Sequence, residues 1–130
     1  MQMYGITTYE DDGRSKERTF KEFGEIAHEL RRLQEEKGYI VIVEVSPPVS
    51  GACYMQAVND SYSEGIFKKR EIGSFTIELN TIDVNDLPKQ YAYHTSDFEE
   101  IEKIFMEFVS FQKLPPFLEW DDISEIYAVY

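Results

Sequence analysis

The sequence predicts an α+β fold, a mostly antiparallel β-sheet packed against two amphipathic helices. Three observations carry that expectation. Two segments of helical periodicity lie far apart in the chain, and a run of strand-like segments lies between them. No linker or low-complexity tract interrupts the 130 residues, so a single domain over 1–130 is expected.

The elements follow in order. MYGITTYE (3–10) reads as a strand at a sheet edge. In TFKEFGEIAHELRRLQEEKG (19–38), Phe20, Phe23, Ile26, Ala27, Leu30 and Leu33 recur at three- and four-residue steps and form one apolar stripe. Thr19 with Glu22 makes a capping box there, and Gly38 supplies a left-handed stop. YIVIVEVS (39–46) is apolar at nearly every position, which predicts a central strand buried on both faces and ended by Pro47 and Pro48. CYMQAVN (53–59), IFKKREI (66–72) and SFTIELNTI (74–82) alternate and are split by turn-rich residues, so they read as antiparallel hairpins. QYAYHT (90–95) is a short strand ahead of the second helix, SDFEEIEKIFMEFVSFQK (96–113). That helix is expected to be capped by Ser96 with Glu99. Its stripe runs through Phe98, Ile101, Ile104, Phe105, Phe108 and Val109, and Pro115 and Pro116 end it. EIYAVY (125–130) reads as a last edge strand.

Charge narrows the function classes. Thirteen Lys and Arg against 25 Asp and Glu give a net charge of −12, a field that repels nucleic acid and anionic membranes and draws cationic partners. The excess is uneven: residues 96–130 hold nine acids and two bases. Solubility alone would also account for an acidic surface. The longest apolar run, Tyr39 to Val43, is too short to span a bilayer, and the start MQMYGITTYEDDG lacks the pattern of a secretory signal. With Cys53 as the lone cysteine, no internal disulfide can form, and the expected location is the cytoplasm.

The catalytic inventory is nearly empty. His28 and His94 lack the spacing of a metal-binding helix, and HTSD (94–97) packs its members side by side where a triad draws them from separate segments. Cys53 has no neighbouring base, and no glycine-rich phosphate loop occurs. The acid pairs Asp11–Asp12, Glu99–Glu100 and Asp121–Asp122 do not fit a calcium loop. Lys68, Lys69 and Arg70 form one small basic cluster, better read as edge-strand protection than as a nucleic-acid footprint. The expectation is a binding protein with no cofactor, no metal and no catalytic residue. The rival readings are a small enzyme using paired carboxylates, and an acidic interaction module or nucleic-acid mimic.

The C-terminal third narrows this further. LPKQYAYHTSDFEEIEKIFMEFVSFQKLPPFLEWDD (87–122) resembles the C-terminal signature of a family of immunity proteins of bacterial polymorphic toxin systems, the first in the numbered Imm series. Pro88, the strand 90–95, Phe98, Phe105 and Phe108 on the helix, Pro115 or Pro116, and Leu118-Glu119-Trp120-Asp121 stand where the family has a proline approach, a strand, an aromatic-bearing helix, a proline link and a terminal Leu-x-Trp-Glu. The central stretch MQAVNDSYSEG has fewer glycines than the family's hairpin, and Asp121 replaces the glutamate after the tryptophan.

The resemblance implies a non-catalytic protein that binds and neutralises a cognate toxin, a nuclease or deaminase with a basic groove. Tyr62, Glu64, Asp83 and Asp86, with Asp11 and Asp12, are the loop residues that suit such an interface, and Glu119, Asp121 and Asp122 are further partner-facing candidates. Trp120 is expected to anchor the segment after the second helix, because a lone tryptophan carries a large buried area.

Overall fold

The computed structural model describes residues 3–20, 22–64, 70–82, 85 and 87–127; for 62–64, 70–72 and 126–127 only the backbone is described. Strands β1 (Met3–Tyr9) and β2 (Ser15–Phe20) precede helix α1 (Phe23–Glu35). Then come β3 (Ile40–Val49), β4 (Ala52–Asn59), β5 (Tyr62–Glu64), β6 (Arg70–Ile72), β7 (Phe75–Ile82) and β8 (Pro88–Thr95). Helix α2 (Phe98–Phe111), a 3₁₀ turn (Phe117–Glu119), the short β9 (Asp121–Asp122) and a second 3₁₀ turn (Ser124–Tyr127) close the described chain.

Seven strands form one sheet in the order β2-β1-β3-β4-β7-β8-β9, with every neighbouring pair antiparallel. β5 and β6 form a separate ribbon that continues the β4–β7 hairpin, tied to it by Asp60 N–H on Ser74 O at 3.1 Å. The α+β expectation therefore describes the architecture.

Register explains where the core lies. Ile6 faces Val43, Val43 faces Met55 and Met55 faces Leu79, so one face carries an apolar row across four strands. Val41, Ala57 and Ile77 make the next row. Against these rows pack Ile26, Leu30 and Leu33 of α1 and Ile101, Phe105 and Phe108 of α2, all fully buried. α1 rests on β3 and β4, α2 on β7, and the two helices touch each other.

Several sequence expectations are corrected. β1 is not an edge strand: it lies between β3 and β2, and SKERTF, unmarked by any apolar alternation, forms the true edge. An edge strand exposed along its length has no reason to carry a buried row, so periodicity passes over it. Phe20 belongs to that strand, where its ring lies 5.3 Å from Tyr4, and α1 starts one turn later. The capping box is Glu22 with Glu25 in place of Thr19 with Glu22, because Thr19 is held in the ladder opposite Gly5. α2 is capped by the Asp97 carboxylate, which accepts from Glu99 N–H at 3.0 Å, in place of Ser96.

β3 is buried on one face only: Val41, Val43 and Val45 point into the core, while Ile42 is half-buried and Glu44 exposed. Pro47 and Pro48 lie inside β3. They fall between Glu44 and Val49, where the ladder to β4 is interrupted and no N–H is required of them. The start of EIYAVY is a 3₁₀ turn, not a strand; its last three residues lie outside the described residues. Gly38 does adopt the left-handed conformation, at φ 82°, two residues beyond the α1 cap at Glu36.

The end of α1 depends on a distant side chain. Arg32 O accepts from Glu36 N–H, while Leu33 O and Gln34 O accept from Asn59 Nδ2 at 2.7 and 3.4 Å. Asn59 Oδ1 in turn accepts from Ser61 N–H at 3.1 Å and Ser61 Oγ at 2.5 Å. One buried amide thus joins the helix end, β4 and the start of the ribbon.

Candidate functional site

The segment that leaves α2 folds back under the sheet edge. α2 stops at Gln112, which takes a left-handed conformation at φ 49° and whose amide Nε2 donates to Tyr4 Oη at 3.0 Å. Two prolines cannot continue a helical ladder, and the fixed φ of Pro116 leads directly into the 3₁₀ turn. β8 presents Tyr91 and Tyr93 on one face, two residues apart. Phe117 packs on Tyr91 with ring centroids 5.1 Å apart, and Trp120 stacks on Tyr93 at 5.3 Å with planes only 16° apart. Asp121 and Asp122 then pair with Ala92 and Tyr91 as β9.

Between this segment and α2 lies a cleft of about 410 Å³, within the usual range of ligand pockets. Glu100, Lys103, Ile104 and Glu107 form the helix wall, since three- and four-residue spacing puts them on one stripe. Pro115, Pro116, Glu119 and Trp120 form the other wall, and β8 supplies Tyr93. Three carboxylates and one ammonium thus line the cleft beside an aromatic pair, and Lys113 Nζ lies 4.0 Å from Glu107 Oε2. Hydrogen bonding toward the Glu100 carboxylate, helped by burial, pushes the Tyr93 phenol above its ordinary pKa. Glu100 Oε1 is itself screened from solvent.

The residues singled out in the sequence separate into distinct places. Glu119, Trp120, Pro115 and Pro116 line the cleft. Phe105 and Phe108 are fully buried, and Phe98 is half-buried with its ring 5.8 Å from Phe75. Asp121 and Asp122 are exposed on β9, where Asp122 accepts from Ser124 N–H at 2.9 Å; hydrogen bonding from Ser124 holds its carboxyl below the usual range. Tyr62 and Glu64, expected in a loop, belong to strand β5, which follows the Asn59–Phe75 end of the β4–β7 pair and is held by pairing with β6. Asp83 and Asp86 lie outside the described residues, as do Lys68 and Lys69; Ile82 and Leu87, which flank the two acids, mark the opposite end of that pair. Among the described side chains of the partner-facing candidates, that of Glu119 lines the cleft. Asp12 serves its own turn, accepting from Arg14 N–H and Nε at 3.0 and 2.7 Å, and Asp11 lies against Gly38.

Tyr93, Lys103 and Glu107 were not singled out by the sequence, and Glu100 and Ile104 entered there only as half of an acid pair and as part of the apolar stripe. The polar spacing on α2 was visible, but the stack that closes the cleft joins residues 27 positions apart.

Two other polar clusters occur on the face of the sheet away from the helices. Glu78 accepts from Gln56 Nε2 at 2.9 Å and from Gln90 Nε2 at 3.3 Å, and Gln90 Oε1 accepts from Asn80 Nδ2 at 3.0 Å. Asp60 Oδ2 accepts from Thr76 Oγ1 at 2.7 Å, and Thr76 Oγ1 meets His94 Nδ1 at 2.8 Å. Both are satisfied networks. A wider groove of about 700 Å³ runs past Met3, Gly5, Glu44 and Pro48 to Cys53, whose thiol burial pushes up in pKa, away from the reactive thiolate. Among the described residues no three His, Cys, Asp or Glu side chains come together to hold a metal ion, and no helix is long and apolar enough to cross a membrane.

Comparison with protein-family models, with curated proteins and with solved structures finds no match to this chain.

Proposed function

We propose that this chain is a non-catalytic immunity protein that binds and neutralises a cognate bacterial toxin in the cytoplasm. The observation that carries the reading is the acid-rimmed aromatic cleft at Tyr93 and Trp120. It sits in the part of the chain with nine acids against two bases, and in the segment whose motifs resemble the immunity family. Half-buried aromatic side chains beside charged groups suit a protein-binding surface, where a partner completes their desolvation. The toxin class that fits is a nuclease or deaminase acting on nucleic acid, because its substrate groove is basic and a partner of net charge −12 is steered toward it. The chain itself, carrying that charge, does not engage nucleic acid or an anionic membrane.

The test is co-expression with the toxin encoded beside it. Growth is restored when this chain is present, and association of the purified pair slows steeply between low and high salt. A toxin that kills equally with and without the chain removes the proposal.

A further inference from the structure

We infer that the face of the sheet turned away from the helices receives, at Gly5, an extended segment of the partner that bears a basic side chain. The starting point is a glycine for which the fold itself has no use. Tyr4 and Ile6 are buried in the core, so position 5 between them faces the other way. Its pairing is unbroken on both sides, opposite Thr19 of β2 and Glu44 of β3, so it marks no bulge, and its φ lies outside the left-handed region. Among the described residues, the nearest atom to a Cβ built there is Arg18 O at 3.9 Å, an ordinary contact. Glycine inside a strand weakens it, and where no bulge, bend or neighbour calls for it, it leaves room for a ligand or another backbone to approach.

The surroundings define what approaches. Gly5 lies where a groove of about 700 Å³ adjoins one of about 300 Å³, and Thr19 and Glu44 line both. Met3, Pro48 and Tyr54 give the larger groove apolar and aromatic walls. Glu44 and Glu17 are exposed beside the hollow and have no cationic partner among the described residues. Arg18, the base that lines the smaller groove, is held by Glu29 Oε1 at 3.2 Å. A cation on the incoming segment meets both acids, whereas a second copy of this chain, at net charge −12, brings acids to acids. This contact is separate from the cleft at Tyr93 and Trp120. It rests on the immunity reading only for the identity of the partner.

The full chain, labelled with nitrogen-15, is titrated with a blocked hexapeptide of alternating arginine and valine, and with the same peptide carrying glutamate for arginine. The arginine peptide gives saturable shifts of the Gly5 and Glu44 amides at millimolar concentration, and the glutamate peptide leaves them unmoved. Gly5→Val separates this from general attraction to an acidic surface, because it fills the hollow and changes no charge. The variant melts no lower than wild type, since β-branched residues suit strands. It binds the arginine peptide about tenfold more weakly, as expected where an inserted side chain overpacks a contact. Equal binding by wild type and Gly5→Val, shifts that leave Gly5 and Glu44 unmoved, or a valine variant that melts lower than wild type, overturns the inference.

Toxin protection is scored separately with the same variant. If the wild-type chain does not protect while the peptide titrations hold, the immunity reading falls and the groove stands. If it protects but Gly5→Val binds the peptide as wild type does, the groove assignment falls and the immunity reading stands.

Discussion

Asn59 offers the sharpest test of how the fold is held. Its side chain is 3% exposed and takes the place of a helix cap that α1 cannot supply locally. In Asn59→Ala, Leu33 O loses its 2.7 Å donor, an orphaned buried carbonyl worth about 1–3 kcal/mol. The Ser61 N–H bond goes too, at about 1 kcal/mol. Together the loss is about 2–4 kcal/mol, and by the scaling for domains of this size the melting temperature falls by roughly 10 °C.

Asn59→Asp is worse at neutral pH, because a carboxylate would face two carbonyls at the negative end of the α1 dipole. That environment raises the folded-state pKa of the new acid above its unfolded value of about 3.9. The protonated form, which can still donate, is therefore the one that folds well. The Asp variant matches or exceeds the Ala variant below about pH 4 and falls behind it as pH rises through the folded pKa. Thermal melts of both variants from pH 3 to 8, read as the difference between them, decide the matter. An Asp variant as stable as wild type at pH 7, or a difference that does not change with pH, refutes the capping role.

Two further outcomes are expected. Trp120→Ala removes the ring stacked on Tyr93 and the half-buried area behind it, lowering stability by about 1–3 kcal/mol, whereas Trp120→Phe recovers most of the loss; equal melting of the two variants would exclude the stack as the cause. Burial and a 2.6 Å bond to Glu29 push the Tyr39 phenol up to about 12, so the neutral ring contributes stability that is complete below pH 10 and is lost as pH climbs through 12. Alkaline denaturation followed by tyrosine absorbance should lose that step in Tyr39→Phe, and an unchanged profile would count against it.

Residues whose environment is local were legible in the sequence. The α2 stripe of Ile101, Phe105, Phe108 and Val109 is buried as its spacing requires, because a helix needs only its own period to define a face. Boundaries set by distant partners were not legible. Thr19 has the chemistry of a cap, yet pairing with Gly5 keeps it in a strand, and Ser96 gives way to Asp97 beside it. β2 escaped notice because an exposed edge needs no apolar code.

The candidate site divides along the same line. Trp120, Glu119 and the two prolines stand out as local motifs, whereas Tyr93 and Glu100 become part of the site only when β8 and α2 are packed together. Cross-chain proximity of this kind leaves no period to read.

The two rims of the sheet have a bearing on how copies of this chain coexist. One rim, β2, displays Lys16, Glu17 and Arg18 along an exposed strand. The other ends in a two-residue strand made of Asp121 and Asp122, beyond which Ile123 N–H is already engaged by Gln90 O. Neither offers the long uncharged edge on which sheets zip from one molecule to the next. Crowded copies are thus kept apart by charge rather than by a covering helix, so concentrated salt thins the barrier to polymerisation while dilute buffer maintains it.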